Sequence, residues 1–158
     1  APRQQERIYK PKSASFEQVY HAVHDYAVKY PDKAILYSAD SYDRFGWAVF
    51  MAGGSLPVLP ATTDKQFLAA ASAMRPVQLP GAPADTWALG SSAKNYMVYS
   101  AGQNLSVDLP ANTNYNARWI SLKTGEVLPG GQRVAGGAHA EVKNPESAAA
   151  ILWLTRIK

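Results

Sequence analysis

The sequence predicts an α/β region followed by an all-β region, and three observations carry that expectation. The first half alternates helical periodicity with short unbroken apolar runs. The second half is a series of short alternating segments separated by turn residues. The two textures meet at Pro76-Val77-Gln78-Leu79-Pro80-Gly81-Ala82-Pro83, where three prolines and a glycine interrupt regular structure. Two domains are expected, 1–76 and 84–158.

In the first half, Ser15-Phe16-Glu17-Gln18 reads as a capping box that opens a helix. Phe16, Val19, Tyr20, Val23, Ala27 and Tyr30 follow at helical spacing, and Pro31 stops the run. Lys33 to Ser38 is a short apolar run without clean alternation, which suits a strand covered on both faces. A loop from Ala39 to Asp43 leads to a second helix over Arg44 to Ala52, ended by Gly53-Gly54. Leu56 to Pro60 is expected as a further buried strand at a sheet end or edge. Thr63-Asp64-Lys65-Gln66 reads as a second capping box, with Phe67, Leu68, Ala71 and Met74 as the stripe of a third helix. Helix, strand, helix, strand, helix is the order of βα units with parallel strands. Two such strands leave open edges and bare helix faces, so this half reads as a piece of something larger.

In the second half, strands are expected at about 86–90, 95–100, 105–109, 115–122, 126–128, 138–142 and 148–157. Leu105, Val107 and Leu109 alternate with Ser106 and Asp108, which gives one buried and one wet face. Lys123-Thr124-Gly125 is a hairpin turn with glycine available for positive φ, and Gly130-Gly131 and Gly136-Gly137 mark two more turns. An antiparallel β-sandwich is the expected result.

Composition narrows the function classes. The 158 residues are 47% hydrophobic, enough for a real core. Sixteen basic against twelve acidic residues give a net charge of +4, scattered without runs, so no nucleic-acid partner is expected. Cysteine is absent, which excludes disulfides and thiolate metal sites. No apolar stretch reaches the length of about 18 residues that a membrane helix needs, so no membrane partner is expected. GxGxxG, Walker, HExxH and GxSxG motifs are all missing. His21 and His24 have metal-compatible spacing, but no completing ligand beyond Asp25 is near, and a solvated helix face is the simpler reading. His139 and Glu141 share a face by alternation and read as a cross-strand polar pair. No metal and no cofactor are expected.

A family resemblance rests on Tyr96-Met97-Val98-Tyr99, on Leu105 to Leu109, and on Ala117-Arg118-Trp119-Ile120-Ser121-Leu122-Lys123-Thr124-Gly125-Glu126. Together these resemble the C-terminal sandwich of bacterial apiosidase-like glycoside hydrolases, a domain type that carries a collagen-binding label. Arg44 to Gly54 is similar to a late barrel helix of the same enzymes. The resemblance covers about two-thirds of the chain, from about Ala34 onward. It implies that the first half is the terminal part of a (β/α)8 barrel, with Ile35 to Ser38 near its seventh strand. A complete barrel takes about 250 residues, so most of it must come from elsewhere. The implied function is the C-terminal portion or small subunit of a glycoside hydrolase acting on a plant or microbial saccharide. Its partner would be a second polypeptide carrying the rest of the barrel, and its setting periplasmic or secreted. The alternative is a non-catalytic carbohydrate-binding or protein-interaction module.

Asp40 and Asp43 are the candidate catalytic carboxylates, in a loop that follows an expected parallel strand. Glycoside hydrolysis needs two carboxylates, about 5–5.5 Å apart for retention or about 6.5–9.5 Å for inversion. The family usually places Glu there, and Ala39-Asp40-Ser41-Tyr42-Asp43 has none. The competing reading makes Asp40 or Ser41 the cap of the next helix, with Asp43 in its first turn. Tyr42, Arg44 and Trp47 are the candidate substrate-binding residues, and Trp87 is a further ring to consider for sugar stacking. Trp119 and Trp153 are expected in the sandwich core.

Overall fold

A computed structural model describes residues 15–37, 45–102 and 104–158. The chain divides into two compact units, Ala1–Leu59 and Pro60–Lys158.

In the described part of the first unit, α1 spans Phe16–Lys29 and α2 spans Gly46–Met51. Ser15 caps α1 as its sequence requires, the hydroxyl accepting from the Gln18 N–H at 3.2 Å. Val19, Tyr20 and Val23 form the buried stripe of α1. Nearly all of α2 is buried, and Gly46 explains one close approach. A Cβ there would lie 1.7 Å from the Val58 carbonyl oxygen, so only glycine lets the backbones meet.

Among the described residues the expected βα units are not formed. Residues 33–37 and 56–60 contain no strand, and every strand pair among the described residues is antiparallel. The end of a (β/α)8 barrel is therefore overturned, and the α/β class with it. The physical reason is the absence of a pairing ladder. Ile35 is buried and its carbonyl accepts from the Ser55 N–H at 2.8 Å, a single bond that pins a loop. A short apolar run satisfies burial in either state, and only a neighbouring strand makes it β.

The second unit opens with α3, Lys65–Ala71. Its cap is Asp64, one residue beyond the expected Thr63. The Asp64 carboxylate accepts from the Phe67 N–H at 2.8 Å, whereas the Thr63 hydroxyl turns back to the Pro60 carbonyl at 2.6 Å. Six strands follow: β1 Arg75–Val77, β2 Thr86–Gly90, β3 Tyr96–Ser100, β4 Asn104–Ser121, β5 Gln132–Lys143 and β6 Ala150–Ile157. They form one antiparallel sheet in the order β1-β2-β3-β6-β4-β5. The proline-rich stretch thus begins inside a strand, because Pro76 lies on edge strand β1, paired to β2 alone.

The 18-residue β4 gives the sheet its shape. Its second half, from Asn114 to Ser121, pairs with β6, while its first half, up to Leu109, pairs only with β5. Register shifts between Val107 and Leu109 and between Leu109 and Asn114 mark the bend. Leu105, Val107 and Leu109 join a core made with Ala88 of β2, Val98 of β3, Tyr115, Ala117 and Trp119 of β4, and Leu152 and Leu154 of β6. On the opposite face of β3 and β6, Met97, Tyr99, Ile151 and Trp153 are also buried. Phe67 of α3 meets Trp153 edge-on, with centroids 5.5 Å apart, and the Arg118 guanidinium lies 3.7 Å from the same ring's centroid.

The start of the unit is also tied to the turn after β4. Asp64 N–H donates to the Gly125 carbonyl at 2.9 Å, and the Thr62 hydroxyl donates to the Thr124 carbonyl. Gly125 has φ +72° in the hairpin turn expected there. The expected strand over 126–128 is reduced to one bridge, Val127 to Ile120.

Candidate functional site

The site is built by the bend in β4. The register shift after Val107 takes Asp108 out of the ladder, and its N–H donates instead to the Pro80 carbonyl at 3.1 Å. This joins the loop after β1 to the bent strand and leaves a groove of about 580 Å³ between them. Val77, Leu79, Pro80, Leu109 and Pro110 make its apolar walls. Gln78, Ser91, Ser92, Tyr96 and Asp108 supply its polar groups.

Asp108 is held from two sides. Its Oδ1 accepts from the His139 backbone N–H at 2.8 Å, and the His139 Nδ1 stands 3.9 Å from the same oxygen. His139 reaches that position with φ +54°, in the left-handed region that a non-glycine residue rarely occupies. The carboxylate also lies over Gly81, whose missing Cβ would sit 3.2 Å from Oδ2. Oδ1 is thereby engaged, and among the described residues Oδ2 keeps its lone pairs.

Tyr96 lines the groove on the inner face of β3. Its ring lies 6.2 Å from that of Tyr115, which is fully buried and whose hydroxyl has no hydrogen-bond partner among the described residues. Burial, and then the neighbouring Tyr115, push the Tyr96 hydroxyl above the ordinary tyrosine range. It therefore stays a neutral donor and acceptor at ordinary pH. The groove thus combines a flat amphipathic ring, apolar walls, hydroxyl and amide groups, and a fixed acceptor.

Asp40, Tyr42, Asp43 and Arg44 lie outside the described residues. Trp47 sits on α2, half-buried and edge-on to Phe50 at 5.5 Å. Trp87 lies beside Tyr99 on the opposite face of the sheet from Tyr96, with centroids 5.5 Å apart. Burial, and then the nearby Asp85, push the Tyr99 hydroxyl upward. Trp119 and Trp153 are buried in the sheet, as their strand positions suggest.

His21 and His24 serve α1. His21 stands 3.7 Å from Glu17, and His24 stacks on Tyr20. Among the described residues no group of three or more His, Cys, Asp or Glu is placed to hold a metal ion. His139 is engaged with Asp108 across the strand pair, and its positive φ breaks the alternation that would set it beside Glu141.

Sequence reasoning missed Tyr96 and Asp108 as site residues. Asp108 was legible as a polar position of an alternating strand, yet alternation alone sends it to bulk solvent. The Pro80-Gly81 turn downstream of β1 was the available signal that another segment would cross it.

Comparison with known families gives one match, to a family described as Domain of unknown function (DUF6298), over residues 1–74, just under half of the chain. No curated protein matches. Among solved structures, the Drosophila melanogaster CENP-C cupin domain is similar at 12% identity, over 77% of this chain and 99% of that one. Its TM-score of 0.30 is too low for that likeness to bear on the fold or the site of this chain.

Proposed function

We propose that the sheet unit is a non-catalytic carbohydrate-binding module that takes a saccharide in the groove beside Tyr96 and Asp108. One observation carries the reading: a single aromatic ring and an immobilised carboxylate share a groove otherwise made of apolar walls and neutral polar groups. A pyranose presents a C–H face that packs on a tyrosine ring and hydroxyls that donate to a fixed acceptor. Because the His139 N–H already orients the carboxylate, little ordering of that group is required when a ligand arrives. The resemblance of the strand segments to the sandwich of apiosidase-like enzymes supports the same ligand class. A periplasmic or secreted setting belongs to this reading.

The test is titration of the full chain with neutral hexasaccharides of plant and microbial polysaccharides, followed by amide chemical shifts. Saturable shifts around Tyr96, Ser91 and Leu109, lost in Tyr96→Ala, are the expected result. If no member of the panel moves these resonances, the proposal fails.

A further inference from the structure

Resting on the carbohydrate reading, we infer that Asp108 sets the charge specificity of the groove, admitting neutral saccharides and rejecting uronate-containing ones. Among the described residues that line it, Asp108 is the only one with a charged side chain. The neighbouring polar groups, Gln78, Ser91, Ser92 and Tyr96, are neutral, so the described lining offers no cation to receive a ligand carboxylate. The His139 imidazole, near Oδ1, is 83% exposed. Its backbone N–H, by contrast, is committed to Asp108.

The geometry makes the charge effective. The carboxylate is two-thirds covered, with 34% of its side chain exposed, and it faces apolar walls that screen it less than water does. Its position is set by the His139 N–H, and it lies over Gly81, where a side chain would stand 3.2 Å from Oδ2. A sugar hydroxyl donates to Oδ2 and gains a charge-assisted hydrogen bond. A ligand carboxylate at that place meets a like charge and has no proton to donate. Asparagine at 108 keeps an oxygen for the His139 N–H, removes the charge and adds an amide donor, so it converts the repelling element into an attracting one.

The experiment uses a matched pair. Cellohexaose, or whichever neutral hexasaccharide of the panel binds, is compared with the same chain carrying C6 carboxylates, on the wild type, Asp108→Asn and Tyr96→Ala. The wild type is expected to bind the neutral chain roughly tenfold or more tightly than the oxidised one, a gap that narrows as salt rises. Asp108→Asn is expected to close most of the gap, chiefly by binding the oxidised chain better. Equal affinity of the wild type for both, or an unchanged gap in Asp108→Asn, overturns the inference while the carbohydrate reading stands. Absence of binding by either chain, or neutral binding indifferent to Tyr96→Ala, overturns the carbohydrate reading and the inference together. Thermal unfolding of each variant checks that the sheet is intact. Should Asp108→Asn fail to fold, Asp108→Ser, which keeps an oxygen and loses the charge, carries the same comparison.

Discussion

The two units solve burial in different ways. In the first, the described residues form two helices that bury α1 and α2 positions against one another, while Leu36, Leu56 and Val58 remain exposed. In the second, six strands share one ladder, and residues from β2, β3, β4, β5 and β6 enter a single cluster. Local signals suffice for a capped helix, whereas a strand exists only when another segment pairs with it. Apolar runs at 33–38 and 56–60 read as strand-like as 96–100, and among the described residues, 33–37 and 56–60 of those runs, only the last found neighbours.

The sharpest way to break that contrast is to truncate one apolar side chain in each unit, buried in the sheet and exposed on the helix. Leu152→Ala, in a fully buried position of β6 between β3 and β4, is expected to cost about 2–5 kcal/mol by denaturant unfolding. Val28→Ala, on an exposed helix position, is expected to stay within about 0.5 kcal/mol. Comparable losses at the two sites would show that α1 is covered where the structure leaves it open.

A smaller effect probes backbone contact rather than side-chain burial. Gly46→Ala drives a methyl group into the Val58 carbonyl and is expected to cost about 1–3 kcal/mol, read as proteolytic opening of the first unit before the sheet. Unchanged cleavage would mean that the Val58 segment yields without consequence. Smaller again, Asp64→Ala removes the α3 cap and is expected to cost about 1 kcal/mol in thermal unfolding. Thr63→Val tests the one-residue shift of the cap, and it should disturb the Pro60 turn while leaving the Phe67 amide protected from exchange.

pH provides a last comparison. Tyr20 in α1 and Tyr96 and Tyr99 in the sheet are all pushed upward, with burial the leading cause. The fold therefore holds these protons more tightly than the unfolded chain does. Their contribution to stability is complete below the unfolded tyrosine value of about 10 and is lost as pH rises through the folded values. Alkaline unfolding should set in above about pH 10, and Tyr99→Phe should flatten its slope. An unaltered slope would remove Tyr99 from the account.

Much of the second unit was legible. Thr86–Gly90 was bounded correctly because turn residues flank it, and β3 and β6 lie close to where alternation puts them, whereas β5 starts at Gln132 and runs through Gly136-Gly137, the pair expected as a turn. β4 was read as two strands, since Pro110 and Asn112 look like an interruption, whereas the chain bends through them without leaving the sheet. The groove was not legible for the same reason. Asp108 and Tyr96 are twelve residues apart on different strands, and no periodicity within either one reports that a bend and the loop after β1 bring them to one opening.

By itself, the sequence determined the capped start of α1, the turn at Gly125 and the alternating faces of the sheet strands, because each depends on side chains within a few residues of one another. Tertiary structure alone decided that the apolar runs of the first unit are loops, that Asp64 rather than Thr63 caps α3, and that Asp108 faces a groove. Those outcomes depend on which distant backbone groups offer a hydrogen bond, and a linear pattern of apolar and polar residues does not encode that choice.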